Sequence, residues 1–96
     1  MNHHCHAVGC ETRVPPKMFM CLAHWRRVPR ELQRAVWANY RPGQEDDKRP
    51  TAEYMRVTDQ ARRAVAEKEG NLPQWEAEHI GYARTISLLE ALAVPS

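Results

Sequence analysis

Apolar residues recur at helical spacing along three stretches of the chain, and proline or glycine marks the ends of each. The first stretch, 29–41, opens with a proline, a residue favoured in the first turn of a helix, and ends at Arg41-Pro42-Gly43. One face of this predicted helix carries the apolar residues Leu32, Val36 and Tyr40. We therefore expect that face to pack against the rest of the protein.

The second stretch, 51–69, has the clearest helical pattern. Thr51 is a suitable N-cap, and Gly70-Asn71 supplies a stop signal. The expected buried stripe comprises Tyr54, Val57, Thr58, Ala61, Ala64 and Val65, and the expected solvent-facing residues are Arg56, Asp59, Arg63 and Glu67. The separation of these two sets predicts an amphipathic helix.

The third stretch, 73–93, is apolar around more of its circumference. Its main stripe consists of Trp75, His79, Tyr82, Ile86, Leu89 and Ala93, and its further apolar positions are Ile80, Leu88 and Leu92. The main stripe predicts a core-facing helix, in which His79 is a core histidine rather than a catalytic base. The further positions belong either to the core or to the interface of a dimer formed through this helix.

The remaining segments are irregular. Residues 1–28 read as loops with one helical turn from Cys21 to Trp25 and allow one short β-hairpin within 8–20, whereas 43–50 is a polar connector. Because 96 residues are too few for two hydrophobic cores, we expect a single domain over 1–96. The predicted fold is mostly α, with the irregular N-terminal segment packed on about three helices.

Cysteine usage and hydrophobicity indicate the compartment. The three cysteines cannot all pair within the chain, and no secretory signal pattern is present. No apolar run approaches the roughly 20 residues that a membrane-spanning helix needs. The expectation is a soluble, reduced protein of the cytoplasm.

The cysteines and one histidine form a metal-ligand pattern, C-x4-C-x10-C-x2-H, made by Cys5, Cys10, Cys21 and His24. Two close pairs of thiolate and imidazole ligands separated by a loop suit tetrahedral zinc. A loop-borne pair followed by a helix-borne pair resembles treble-clef and related small zinc fingers over residues 5–40. The ligand set has one open point, because any of the neighbouring histidines could replace Cys5: His3, His4 and His6.

The same pattern argues against an enzyme. Four protein ligands leave no coordination position for water, and neither HExxH nor the His-x-Glu of zinc deaminases is present. We therefore expect a structural zinc ion, with Trp25 covering the site, and no catalytic residues.

Charge is unevenly distributed along the chain. The total is only +2, but residues 1–41 carry a net charge of +5 and residues 42–96 one of −3. The basic half places a row of residues on the helix face opposite the apolar stripe, namely Arg30, Arg34, Trp37 and Arg41, and Arg27 extends it if the chain stays helical through Val28. Such a row suits phosphates with a stacked base, or an acidic protein surface, or is simply a solvated face.

The runs CHAVGC, VPPKMFMC and HWRRVPRELQRAVWANYRPGQ resemble small zinc-binding proteins encoded by bacteriophages and prophages. The resemblance spans residues 4–44 and carries no active site. It implies a cytoplasmic accessory protein, expressed during infection, that regulates transcription or disables a host defence. Combined with the basic row, it favours nucleic-acid binding, with an inhibitor or adaptor of a host protein, such as a CRISPR complex, as the alternative.

Overall fold

The computed structural model describes residues 3–15, 18–40 and 51–93. Within these ranges the chain forms four helices, which are α1 (Leu22–Trp25), α2 (Arg30–Asn39), α3 (Ala52–Glu69) and α4 (Leu72–Ala93). The mostly α fold predicted from the sequence is confirmed. The connector predicted at 43–50 and Arg41 lie outside the described residues.

Local sequence signals set the helix ends. Pro29 is the N-cap of α2, and its carbonyl accepts the first backbone hydrogen bonds of that helix, from Leu32 and Gln33, both at 3.0 Å. Thr51 caps α3 through its side-chain oxygen, which accepts from the Tyr54 amide at 3.0 Å. Gly70 ends α3 in the left-handed conformation at φ 74°, which is accessible to glycine at little steric cost. The chain can therefore reverse at once into α4.

The N-terminal segment is held by a minimal antiparallel pairing. His4 and Arg13 form one isolated bridge, flanked by backbone hydrogen bonds from Cys5 to Thr12 at 2.8 Å and from Val14 to His3 at 3.1 Å. Among the described residues of the window 8–20, in which the sequence allows a hairpin, Arg13 forms an isolated bridge, and its partner His4 lies before that window.

Helix α3 is the centre of the molecule, because it packs against both α2 and α4. The main core lies between the N-terminal loops, α2 and α3, and its buried residues are Cys5, Ala7, Met20, Val28, Val36, Val57, Ala61 and Val65. A smaller core joins Val8 and Ala66 to Trp75 of α4. The cysteine-bearing loop is therefore part of the hydrophobic core.

The expectation that Asp59 faces solvent is wrong. Asp59 is only 4% exposed, because its carboxylate accepts hydrogen bonds across the α3–α4 interface. The outer face of α4 leaves its apolar residues exposed, and these are Ile80, Leu88 and Leu92. The dimer predicted through this helix stays a prediction. None of the helices in the described ranges is long and apolar enough to cross a membrane.

Candidate metal centre

The fold brings together one thiol- and imidazole-rich cluster at the N-terminal end. Its four members are Cys5, Cys10, Cys21 and His24, whose ligand atoms all lie within 4.8 Å of one another. His24 Nδ1 lies 3.2 Å from Cys21 Sγ and 3.7 Å from Cys5 Sγ. Ligand bonds of zinc at tetrahedral angles put sulfur and nitrogen about 3.6 Å apart. The residues present therefore fit a tetrahedral metal ion, and among the described residues no disulfide competes for these thiols.

The candidate ligands lie in two kinds of local structure, a tight turn and the start of a helix. Cys5 and Cys10 flank a tight turn in which Gly9 has φ 79° and the Cys10 amide donates to the Ala7 carbonyl at 3.0 Å. Cys21 is the N-cap of α1, and His24 lies in the single turn of helix that follows. One pair is thus loop-borne and the other is at a helix start, as the treble-clef resemblance implies.

The neighbouring histidines are engaged outside this cluster. The Nδ1 atom of His3 is 3.3 Å from the Val14 carbonyl, and its Nε2 atom is 3.3 Å from His6 Nε2. His4 Nδ1 lies 3.1 Å from the carbonyl of Cys5. The group that converges in the structure contains Cys5 rather than any of these three rings.

The thiols differ in their environments. Burial raises the pKa of the Cys5 thiol to about 12. Burial also raises the pKa of Cys10, but its hydrogen bonds with Thr12 and with the neighbouring thiols outweigh burial and lower that pKa to about 7. A metal must therefore displace a firmly held proton from Cys5, which makes binding release protons.

Glu69, at the last position of α3, orients the histidine ligand. Its Oε2 atom accepts from His24 Nε2 at 3.2 Å and from the guanidinium of Arg27. This arrangement leaves His24 Nδ1, the nitrogen that faces the thiols, free to bind the metal. Sequence reasoning missed Glu69, which is 45 positions from His24. One feature of the sequence could have identified Glu69. An acidic residue at a helix C-terminus interacts unfavourably with the helix dipole, so a positively charged or hydrogen-bonding partner elsewhere in the fold is expected.

A buried arginine also ties the metal loop to the helices. Arg62 is 3% exposed, and its Nε atom donates to the His6 carbonyl at 2.9 Å. Its guanidinium also pairs with Asp59 and Glu78 and lies 4.5 Å from the centre of the Tyr82 ring. Arg62 therefore joins the loop, α3 and α4 in one network.

The rest of that network centres on Asp59. Its carboxylate accepts from the Trp75 indole at 3.1 Å and from the Nδ1 atom of His79. No buried side-chain nitrogen or oxygen of the described residues lacks a partner. Asp59 and Arg62 form the buried part of this network, whereas the His79 side chain is 41% exposed, so His79 is a hydrogen-bonded, partly exposed histidine at the edge of the core.

The basic row is only partly assembled as expected. Arg30, Arg34 and Trp37 lie exposed on α2, and within the described ranges neither arginine forms an ion pair. Arg27 is different, because α1 ends at Trp25 and the chain is not helical through Val28. Its side chain instead pairs with Glu69, so the condition for extending the row is not met.

Beside Trp37 lies a small apolar pocket. Its cavity volume is about 50 Å³, and its lining includes Met18, Phe19, Trp25, Trp37, Tyr40 and Tyr54. Trp37 itself is 54% exposed, whereas Trp25 is partly buried and packs against the core that contains Cys5. The row and the pocket meet at Trp37.

Comparison of the chain with protein-family models, with curated proteins and with solved structures found no match.

Proposed function

We propose that this chain is a zinc-stabilised binding module that recognises nucleic acid through the exposed face of α2. The metal centre supports the first part of the proposal. Three thiols and one imidazole match the ligand preference of zinc, and four protein ligands fill its tetrahedral coordination. Zinc in such a site would hold the loop to α1 and leave no coordination position for a substrate, so we propose a structural rather than a catalytic metal and a binding module rather than an enzyme.

The observation that carries the nucleic-acid proposal is the exposure of Arg30, Arg34 and Trp37 on one face of α2. Arginines that make no ion pair with any described residue can neutralise phosphates, and an exposed indole can stack on a base. The net charge of +5 over residues 1–41 adds a favourable field around this face. The phage or prophage origin implied by the sequence resemblance stays a prediction.

The test is a fluorescence-anisotropy titration of the zinc-loaded protein with labelled DNA and RNA at roughly 50 and 200 mM salt. We expect affinity to fall steeply as salt rises. The double variant Arg30→Ala, Arg34→Ala should bind at least about tenfold more weakly at the lower salt, since each phosphate contact adds to the salt-dependent term.

The matched control is Arg63→Ala combined with Arg84→Ala, which removes the same charge from exposed positions on α3 and α4. This control should stay close to wild type. If neither DNA nor RNA binds at the lower salt, or if both double variants lose affinity equally, α2 is not the nucleic-acid surface.

A second candidate is an inhibitor or adaptor that binds a host protein through the same face. The small apolar pocket beside Trp37 favours it, because a cavity of about 50 Å³ accommodates the tip of an aliphatic side chain and Trp and Arg are frequent interface hot spots. Capture of one host protein from nuclease-treated lysate, lost in Trp37→Ala but retained in Leu88→Ala, would support this candidate. Capture that does not depend on Trp37 would count against it.

A further inference from the structure

Trp37 presents a fixed aromatic surface to solvent. Trp37 is 54% exposed, and its ring meets that of Tyr40 nearly edge-on, with centroids 5.7 Å apart and planes at 74°. Tyr40 in turn contacts the ring of Tyr54 on α3 at 6.3 Å between centroids. The exposed indole is therefore the outermost member of an aromatic cluster anchored on two helices.

Two arginines lie at set distances from this surface. On a helix, the positions of Arg34 and Arg30 lie about 4.5 and about 10.5 Å from that of Trp37 along the axis, on the same face. Both lie on the N-terminal side of Trp37, so their guanidinium groups can reach two successive phosphates on one side of a base placed on the indole. The cations and the aromatic ring together match the backbone and the base of one strand.

An exposed indole such as that of Trp37 can stack on the bases of unpaired nucleic acid but not on those of a duplex. In a duplex the faces of the bases are covered by their neighbours, and only base edges are accessible in the grooves. A base can lie on the face of an indole only after it leaves the stack, as it does in single strands. The cavity beside the indole is about 50 Å³, too small for a whole base, so the base lies over its mouth.

We infer that α2 binds single-stranded nucleic acid, with one unstacked base on Trp37 and the adjacent phosphates on Arg34 and Arg30. This inference rests on the proposed nucleic-acid function and names its substrate class. The described residues that line the cavity beside the indole are apolar or aromatic and give little basis for reading a base edge, so we expect binding to tolerate different sequences.

The experiment compares three labelled probes of equal charge at low salt with the zinc-loaded full chain. The probes are oligothymidylate of about twelve nucleotides, an abasic strand of the same length, and a hairpin duplex of the same length whose loop is made of abasic residues. We expect oligothymidylate to bind between about fivefold and a hundredfold more tightly than the abasic strand, which is the range that stacking of one base produces. The duplex should bind no better than the abasic strand.

The variants locate the base. Trp37→Ala should reduce the affinity for oligothymidylate to that for the abasic strand and leave abasic binding unchanged. Trp37→Phe, which retains an aromatic face, should keep most of the difference, and Leu88→Ala, which truncates a residue that is 65% exposed, should have no effect. Circular dichroism of each variant verifies that the fold is retained.

Two failures are distinguishable. Equal affinity for all three probes, or no loss in Trp37→Ala, overturns the single-strand inference while the nucleic-acid function stands. Absence of binding to every probe, and to an RNA strand of the same length, overturns both, and Trp37-dependent capture of a protein would then assign the face to a protein partner.

Discussion

At the scale of single residues, the metal ligands depend on partners that the ligand pattern does not contain. Glu69 accepts from His24 Nε2 and also from Arg27, so one carboxylate orients the imidazole and fixes the segment that leads to α2. The Lys68 ammonium donates to the Arg27 carbonyl at 2.6 Å and strengthens the same connection. The end of α3 therefore acts as a support for the metal centre.

We expect Glu69→Gln to weaken metal affinity about 10- to 100-fold, because loss of the carboxylate partner lowers the basicity of the imidazole and loosens its orientation. Competition with a chromophoric chelator measures this effect. Glu67→Gln, an exposed change in the same turn, is the control and should leave the affinity unchanged. Equal affinities of the two variants would mean that Glu69 has no part in the metal site.

Arg62 provides a second prediction at this scale. Arg62→Ala should lower the free energy of unfolding by about 3–5 kcal/mol, because it breaks a buried ion pair and leaves the His6 carbonyl without its donor. Arg63→Ala, one position along the same helix, removes an exposed guanidinium 5.6 Å from the Trp75 ring and should change that free energy by less than about 1 kcal/mol. Urea denaturation measures both, and similar values for the two would contradict the proposed role of Arg62.

At the scale of elements, the sequence predicts what depends on local pattern. Thr51 and Gly70 bound α3 where their cap signals lie, and the periodicity of α2 identifies Val36 as buried. The loop ligands follow from spacing and the chemistry of cysteine alone. These features are accessible because each is encoded within a few residues of the chain.

The features that sequence reasoning missed depend on tertiary packing. Asp59 has the periodicity of a solvent-facing residue, yet α4 brings the Trp75 indole and His79 against it. Arg62 and Glu69 likewise meet partners on distant segments. Helical periodicity shows on which face of a helix a residue lies. It does not show which polar groups of a neighbouring helix contact that face.

The same substitution, glycine to alanine, should have opposite effects on stability at Gly70 and Gly81. Gly70→Ala should destabilise the protein by about 1–2 kcal/mol, because the residue has φ 74° and alanine is strained there. Gly81→Ala should stabilise it by about 0.5–1 kcal/mol, because this glycine lies inside α4 and an added Cβ meets nothing within 4 Å. Thermal or urea denaturation gives both signs, and effects of the same sign would contradict the assigned conformations.

At the scale of the whole molecule, the metal centre and α3 together organise the fold. The N-terminal loops contribute Cys5, Ala7 and Met20 to the main core, but the described part of that segment has only one isolated β-bridge of its own. A metal ion held by the four candidate ligands would give the segment a cross-link that its few residues cannot otherwise supply. Metal binding and folding of this half should therefore be coupled.

The same coupling extends to the proposed binding face. The pocket beside Trp37 is lined by Met18 and Phe19 from the loop, by Trp25 from α1 and by residues of α2 and α3. Loss of the metal should displace the loop and α1 side of this pocket. Nucleic-acid binding should consequently weaken in Cys21→Ser, and a variant that lost the metal but kept full affinity would separate the two sites.

The most direct test of the central claim is the melting temperature of the zinc-loaded protein with and without a strong chelator. We predict that chelation lowers the melting temperature by at least about 10 °C, that Cys21→Ser melts like the chelated protein, and that added zinc restores the wild type. A melting temperature unchanged by chelation would contradict the account, because the fold would then stand without its metal.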